Sequence, residues 1–157
     1  MRVGDICEKR FIYASQSESL LNVAKLMRTQ HVGSVIIIDG TDGKIKPVGI
    51  ITDRDLVVEV LAANIDAATL TALDIVSSDL VSISESEELR DALNHLRYFG
   101  VRRAPVVDHE GHLVGIFSID DSLPILSEEF SEIVKLMSNE LSNEINQRGD
   151  SYDYEQD

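Results

Sequence analysis

Gly49-Ile50-Ile51-Thr52-Asp53-Arg54-Asp55 and, 66 residues later, Gly115-Ile116-Phe117-Ser118-Ile119-Asp120-Asp121 are the stretches that decide the fold. In each, a glycine precedes two bulky apolar residues, then a hydroxyl residue, then an aspartate three positions further on. The correspondence extends outward from them. At an offset of 69, Asp5-Ile6 falls on Asp74-Ile75, Ser15 and Ser17 on Ser84 and Ser86, and Leu20 on Leu89. Met27 falls on Leu96, Val32 on Val101 and Asp39 on Asp108, before three extra residues in the following loop change the offset to 66. A duplication of this length implies two copies of one structural unit packed together. Any site built from the unit should then exist twice.

Each copy reads in the same order. A short extended piece comes first, around Phe11-Ile12-Tyr13 and Val81-Ser82-Ile83. Leu20, Val23, Ala24 and Met27 then recur at helical spacing, as do Leu89, Ala92, Leu93 and Leu96. The polar runs Ser17-Glu18-Ser19 and Ser86-Glu87-Glu88 suit the helix starts. The β-branched runs Val35-Ile36-Ile37-Ile38 and Ala104-Pro105-Val106-Val107 predict strands buried on both faces. Turns at 39–43 and 108–111 lead to a second strand, so each copy should hold an antiparallel hairpin. A second helix follows Thr52 and Ser118. The fold class is therefore mixed α/β (α+β), with two tandem β-α-β-β-α repeats packed as a pseudo-twofold pair.

The expected divisions are residues 1–66 for the first repeat and 67–125 for the second. Pro124 fits only in or near the first turn of a helix or at a break. Beyond it, Leu126, Phe130, Ile133, Val134, Met137, Leu141 and Ile145 form an apolar stripe at steps of three and four. This predicts a C-terminal amphipathic helix over 126–148. Residues 149–157 are acidic and apolar-poor, and are expected to be disordered.

The net charge is −14. It argues against nucleic acid as a partner, because phosphate backbones are held by Lys and Arg. From Asp120 to the end there are eleven acids and two bases, whereas Arg97, Arg102 and Arg103 cluster in the second copy. A small anion could be held by that cluster despite the global sign. No membrane span and no signal peptide are visible, so the cytoplasm is the expected location. The single cysteine, Cys7, corresponds to Val76 and is best explained as an apolar position in a reducing compartment. No CxxC or HExxH pattern occurs, and no metal cofactor is expected. His31, His95, His109 and His112 are scattered.

The chemistry concentrates at the two strand-to-helix junctions. Thr52 with Asp55, and Ser118 with Asp121, have the spacing of a capping box, which satisfies free N–H groups at a helix start. The same geometry suits a ligand. A helix N-terminus attracts an anion, a hydroxyl can donate to a phosphate, and a carboxylate one turn in can hold two ribose hydroxyls. Arg102 and Arg103 stand directly before a buried strand, where guanidinium groups could take phosphate bidentately or simply face solvent. The first copy has Gly33-Ser34 at those places, so two pockets would be unequal.

These motifs resemble those of the CBS domain, named after cystathionine β-synthase, over residues 3 to about 125. The likeness is carried by Val3-Gly4-Asp5-Ile6, the Leu20–Met27 stretch, Val32-Gly33-Ser34 and the Gly49–Asp55 junction. Val101-Arg102-Arg103-Ala104-Pro105-Val106-Val107-Asp108 and the Ser118–Asp121 junction carry it in the second copy. The resemblance implies binding of an adenine nucleotide (AMP, ADP or ATP) in clefts between the copies. NAD and S-adenosylmethionine are open alternatives. It assigns Asp55 and Asp121 to ribose, Thr52 and Ser118 to phosphate, Arg103 with Arg102 to phosphate, and Ser77 to nucleotide contact. Cys7 departs from the family's usual Met. The resemblance also implies a homodimer, with the C-terminal stripe either a dimer seam or packed on its own pair.

Without a nucleophile–base pair, metal cluster or phosphate-transfer loop, no catalysis is expected. The expected function is a stand-alone regulatory module that senses an adenosyl ligand and signals to a partner protein not identified by the sequence. The alternative is a structural or protein-interaction module with vestigial pockets.

Overall fold

The computed structural model describes residues 1–40, 45–76 and 79–152. The chain divides into two compact units, Met1–Ile119 and Asp120–Asp157. The first unit opens with a short helix α1 (Val3–Ile6), then β1 (Tyr13–Ser15), α2 (Leu20–Gln30), β2 (Ser34–Asp39) and β3 (Lys46–Thr52). A single turn α3 (Asp53–Asp55) continues into a π-helical stretch, Leu56–Leu61. The second series is α4 (Ala72–Ile75), β4 (Ile83–Ser84), α5 (Leu89–Phe99), β5 (Arg103–Val107) and β6 (Leu113–Ser118).

The two sheets are built alike. β1 runs parallel to β2, which pairs antiparallel with β3; β4, β5 and β6 repeat the arrangement. Even the register irregularity is duplicated, between Ile37 and Ile38 in one sheet and Val106 and Val107 in the other. The expected β-α-β-β-α order is present twice. The first strand of each copy starts two residues later than the sequence suggested. The tip of the first hairpin, 41–44, lies outside the described residues.

What the periodicity missed are α1 and α4. Four residues are too few to show a helical repeat, yet they decide how the copies are joined. Val3 N–H donates to Glu87 O at 2.9 Å, and the equivalent Ala72 N–H donates to Glu18 O at 2.8 Å. Leu89 N–H donates to Met1 O at 3.0 Å, and Leu20 N–H to Leu70 O at 2.9 Å. Each leading segment therefore docks on the other copy. Val3 and Cys7 are buried with Ile83, Leu96, Val106 and Phe117. Ala72 is buried with Leu20, Val23, Ile37 and Ile51. Cys7 is an apolar core position, as its alignment with Val76 suggested.

Helix ends follow local chemistry. Ser19 Oγ accepts the Asn22 N–H at 3.2 Å at the start of α2. Thr71 and Asp74 form a capping box at α4, and bonds from the Thr71 N–H and hydroxyl hold the Asp74 carboxyl below its usual range.

The second unit contains the helix α6 (Ile119–Tyr152), which starts at the end of β6. Two expectations are corrected by it. Pro124 neither ends nor breaks the helix, so the closing helix and the amphipathic helix are one element of 34 residues. Pro124 is the sixth residue of the helix, past the first four N–H groups that have no intrahelical partner, so it removes one i→i−4 bond, which the rest of the long helix carries. The helix also runs through Gly149 to Tyr152, because propagating an existing helix costs far less than nucleating one. Residues 153–157 of the expected disordered tail lie outside the described residues. Among the described residues no helix is long and apolar enough to cross a membrane.

Candidate functional site

β3 delivers Thr52 to the end of its sheet, and α3 starts there. Thr52 N–H and Thr52 Oγ1 both donate to Asp55 Oδ2 at 2.8 Å, and Asp55 N–H donates to Thr52 Oγ1 at 3.2 Å. This is the capping box that the spacing allowed. It commits the hydroxyl proton of Thr52 to the carboxylate. Asp55 Oδ1 makes no hydrogen bond among the described residues. Asp53 N–H donates to Gly33 O at 3.0 Å, tying the junction to the residue before β2. The duplicate bond runs from Ile119 N–H to Arg102 O at 2.9 Å.

The second copy contributes the cations. Arg103 begins β5 and its Nη1 donates to Ser34 Oγ at 3.0 Å. Ser34 is buried at the start of β2, so the half-buried guanidinium is fixed across the two copies. Ser34 and Arg103 are equivalent positions in the duplication, so this bond lies where the two copies meet.

A cavity of about 630 Å³ opens at this meeting point. Thr52, Asp53, Arg54 and Asp55 line one side, and Arg102 and Arg103 the other, with Gly33 beside them. Ile50 and Val101 supply its apolar surface. Three arginines against two aspartates give the lining a positive formal balance inside a chain of net charge −14. A second cavity of about 340 Å³ shares Ile50, Val101 and Arg103 and is otherwise mainly apolar, with Leu80, Val81 and Phe99. Asp79 also lines it, a residue that sequence reasoning did not single out. Together they have the size and the mixture of apolar wall and few polar groups typical of small-molecule sites.

Four of the sequence-predicted residues are therefore brought together: Thr52, Asp55, Arg102 and Arg103. The basic pair sits opposite the junction of the other copy, so the first copy's Gly33-Ser34 does not leave that junction without cations. Ser118 ends β6, and Asp121 lies in the first turn of α6; neither lines this cavity. Ser77 lies outside the described residues.

One cluster escaped the sequence reading. Asp108, Glu110 and His112 of the β5–β6 turn place ligand-type atoms within 4.8 Å of one another. Their alternate spacing was the available signal. Asp108 Oδ1 accepts the backbone N–H groups of His112 at 2.8 Å and Glu110 at 2.9 Å, and these bonds shape the turn. The His112 N–H is the main cause holding the Asp108 carboxyl below its usual range. His112 is half-buried in this turn.

Known proteins share both the motifs and the architecture. The family model described as CBS domain matches residues 3–62 and 72–121. An uncharacterized protein of Methanopyrus kandleri is 34% identical over 142 residues, covering 88% of this chain and 71% of its own. Hypoxic response protein 1 of Mycobacterium tuberculosis is 32% identical over 117 residues, covering 74% and 79%. The crystal structure of Hypoxic Response Protein I, with two coordinated zinc ions, matches with a TM-score of 0.66 at 30% identity, covering 77% of this chain and 95% of its own. A CBS domain pair in complex with 5′-methylthioadenosine and S-adenosyl-L-methionine gives a TM-score of 0.70 at 26% identity, covering 82% and 98%. A CBS domain protein of Pyrobaculum aerophilum complexed with AMP has the same fold, with a TM-score of 0.72 at 23% identity, covering 82% and 97%. With the family's unit matched twice in sequence and built twice in the structure, the chain belongs to the CBS domain family as a tandem pair.

Proposed function

We propose that this CBS pair is a non-catalytic regulatory module that binds an adenosine derivative between its copies and signals to a partner protein. One observation carries the reading: the cleft joins the Thr52–Asp55 junction of the first copy to Arg102 and Arg103 of the second. Asp55 Oδ1 accepts a ribose hydroxyl while Oδ2 stays in the cap. Arg102, Arg103 and Arg54 hold phosphate as planar, charge-assisted donors. The apolar surface around Ile50 and Val101 takes the base. Thr52 positions Asp55 and reaches a phosphate only if its hydroxyl leaves the carboxylate. Ser118 and Asp121 act at the equivalent junction, and Ser77 contacts the ligand from the segment after α4. AMP, ADP and ATP fit the arginines best, while NAD and S-adenosylmethionine share the adenosine that Asp55 would grip. The complex of a related pair with S-adenosyl-L-methionine supports the adenosyl class. Zinc in the related Hypoxic Response Protein I leaves metal independence to be tested in the same titrations. A cytoplasmic location accords with one buried thiol, Cys7.

Calorimetric titration of the full chain with AMP, ADP, ATP, NAD, S-adenosylmethionine and adenosine, with and without Zn²⁺, tests this reading. At least one compound should bind. Asp55→Asn should weaken that compound roughly tenfold. Arg102→Ala with Arg103→Ala should weaken phosphorylated ligands tenfold or more and leave adenosine unchanged. No heat with any compound would overturn the sensor and favour an interaction module with vestigial pockets.

A further inference from the structure

The second hairpin carries the cleft at one end and a histidine-bearing turn at the other. Arg103 pairs with Ser118 at the cleft end, and Val107 with Leu113 where the turn begins. Four steps of strand set these ends roughly 13 Å apart. In the turn, two carboxylates converge on one imidazole nitrogen. His112 Nδ1 lies 3.3 Å from Asp108 Oδ2 and 3.4 Å from Glu110 Oε2. Both distances exceed the about 2.7–2.9 Å of a charge-assisted hydrogen bond. A single ring N–H also cannot serve two carboxylates in good geometry. A cation among the three atoms matches the spacing. Ligands bonded to zinc at about 2.0–2.1 Å and set at tetrahedral angles stand about 3.3–3.4 Å from one another. The three side chains offer ligand atoms within 4.8 Å of one another, and the Glu110 side chain is 52% exposed, so its carboxylate is free to rotate and close the remaining edge.

The turn does not account for this convergence. Its shape comes from Asp108 Oδ1, which accepts the backbone N–H groups of Glu110 and His112, while Oδ2 is the oxygen turned to the imidazole. Neither bond involves the Glu110 or His112 side chain. The duplication supplies the comparison. Asp39 is the equivalent of Asp108 and Lys46 the equivalent of His112, and no histidine or glutamate stands between Asp39 and Lys46. The aspartate is common to both hairpins, whereas Glu110 and His112 are peculiar to the second. An ion pair in the place of Lys46 would need one carboxylate, not two.

We propose that Asp108, Glu110 and His112 bind one Zn²⁺, with water in the fourth position. One imidazole nitrogen and two carboxylate oxygens suit zinc. Ca²⁺ takes about six to eight oxygens and Mg²⁺ an octahedron of them, so an imidazole and two carboxylates select against both. Asp108 is held as a ligating carboxylate usually is, with its other oxygen hydrogen-bonded. The site lies at the opposite end of the strands from Arg103, so it and the adenosine cleft do not depend on each other.

Calorimetric titration of the chelator-treated full chain with ZnCl₂, without any nucleotide, tests the site. One Zn²⁺ should bind per chain, and an equal concentration of Mg²⁺ or Ca²⁺ should not compete. His112→Gln and Glu110→Gln should each weaken zinc by more than the roughly tenfold that outer partners alone carry. His95→Gln, whose imidazole faces the single carboxylate of Glu87 at 3.4 Å, should leave zinc binding unchanged. Asp55→Asn should leave it unchanged as well, which separates this site from the adenosine cleft. Imidazole nitrogen resonances of the unsubstituted chain locate the metal without relying on any variant, and Nδ1 of His112 should move on adding zinc. No saturable zinc binding, full binding in His112→Gln, or movement confined to His31, His95 or His109 overturns the proposal. Equal competition by Mg²⁺ or Ca²⁺ overturns it too, because it would mean that the carboxylates act without the imidazole.

Discussion

Gly49 and Gly115 carry the duplication at its smallest scale. A Cβ built on Gly49 would lie 2.2 Å from Val76 Cγ1, and one on Gly115 would lie 2.7 Å from Cys7 Sγ. Val76 and Cys7 are themselves equivalents. In each half, the segment that leaves the leading helix crosses directly over the strand of the other copy, and only a glycine leaves room. Neither glycine has a positive φ, so close approach rather than turn geometry explains both. Gly49→Ala should destabilise the protein by about 1–3 kcal/mol, the usual cost of overpacking. Val76→Ala removes the two methyl groups that clash and should recover most of the loss when combined with Gly49→Ala. A double-mutant cycle by urea unfolding measures the coupling. Additive effects from the two changes would mean that this contact does not constrain the glycine. At the same scale, Asp55 was legible from its spacing to Thr52, but its two oxygens were not distinguishable. Only the structure separates Oδ2, held in the cap, from Oδ1, which accepts no hydrogen bond among the described residues.

Helices α2 and α5 occupy equivalent places and end in the same way with different residues. Val32 N–H reaches back to Met27 O at 3.1 Å, and Val101 N–H to Leu96 O at 3.0 Å. Both closures require a left-handed residue, His31 at φ 54° and Gly100 at φ 67°. Glycine adopts this conformation at no steric cost, whereas a side chain adds about 1 kcal/mol. His31→Gly should therefore stabilise the protein by roughly 0.5–1 kcal/mol. Gly100→Ala should cost a similar amount, since no atom lies within 4 Å of its added Cβ and only backbone strain acts. Denaturant midpoints of the two variants should move in opposite directions; movement in the same direction would refute the shared cap. The long elements were readable because eleven-residue helices and β-branched runs contain several periods of their pattern. The four-residue helices α1 and α4 contain about one turn each and left no periodic signal. The continuity of α6 through Pro124 was hidden for another reason: sequence rules mark proline as a boundary without knowing which carbonyl it leaves unbonded.

The whole molecule depends on an exchange that a sequence repeat cannot display. Alignment divides the chain near residue 66, but the hydrogen bonds do not divide there. The leading helix of each copy is bonded to the other, through Val3–Glu87 and Ala72–Glu18, so each apolar core is closed by the other copy's chain. The same meeting of copies creates the cleft, whose aspartate and arginines come from different halves. This explains why single residues of the site were legible while their combination was not: the duplication predicts two similar sites but does not say which halves face each other. A folding consequence follows. A fragment of residues 1–66 keeps Leu20 and Val23 but lacks Leu70 and Ala72, which close over them. A fragment of 67–157 keeps Leu96 and Phe117 but lacks Val3 and Cys7. Losing the burial of one valine alone costs about 1.5–3 kcal/mol, a large part of the stability of so small a unit. Each fragment alone should give little amide dispersion in its NMR spectrum. Mixing the two in equal amounts should restore a native-like spectrum, because the exchanged helices dock without a covalent link. A dispersed spectrum from either fragment alone would show that its sheet closes without the borrowed helix. Failure to recover on mixing would mean that the connection through 65–71 is required for the two copies to find each other.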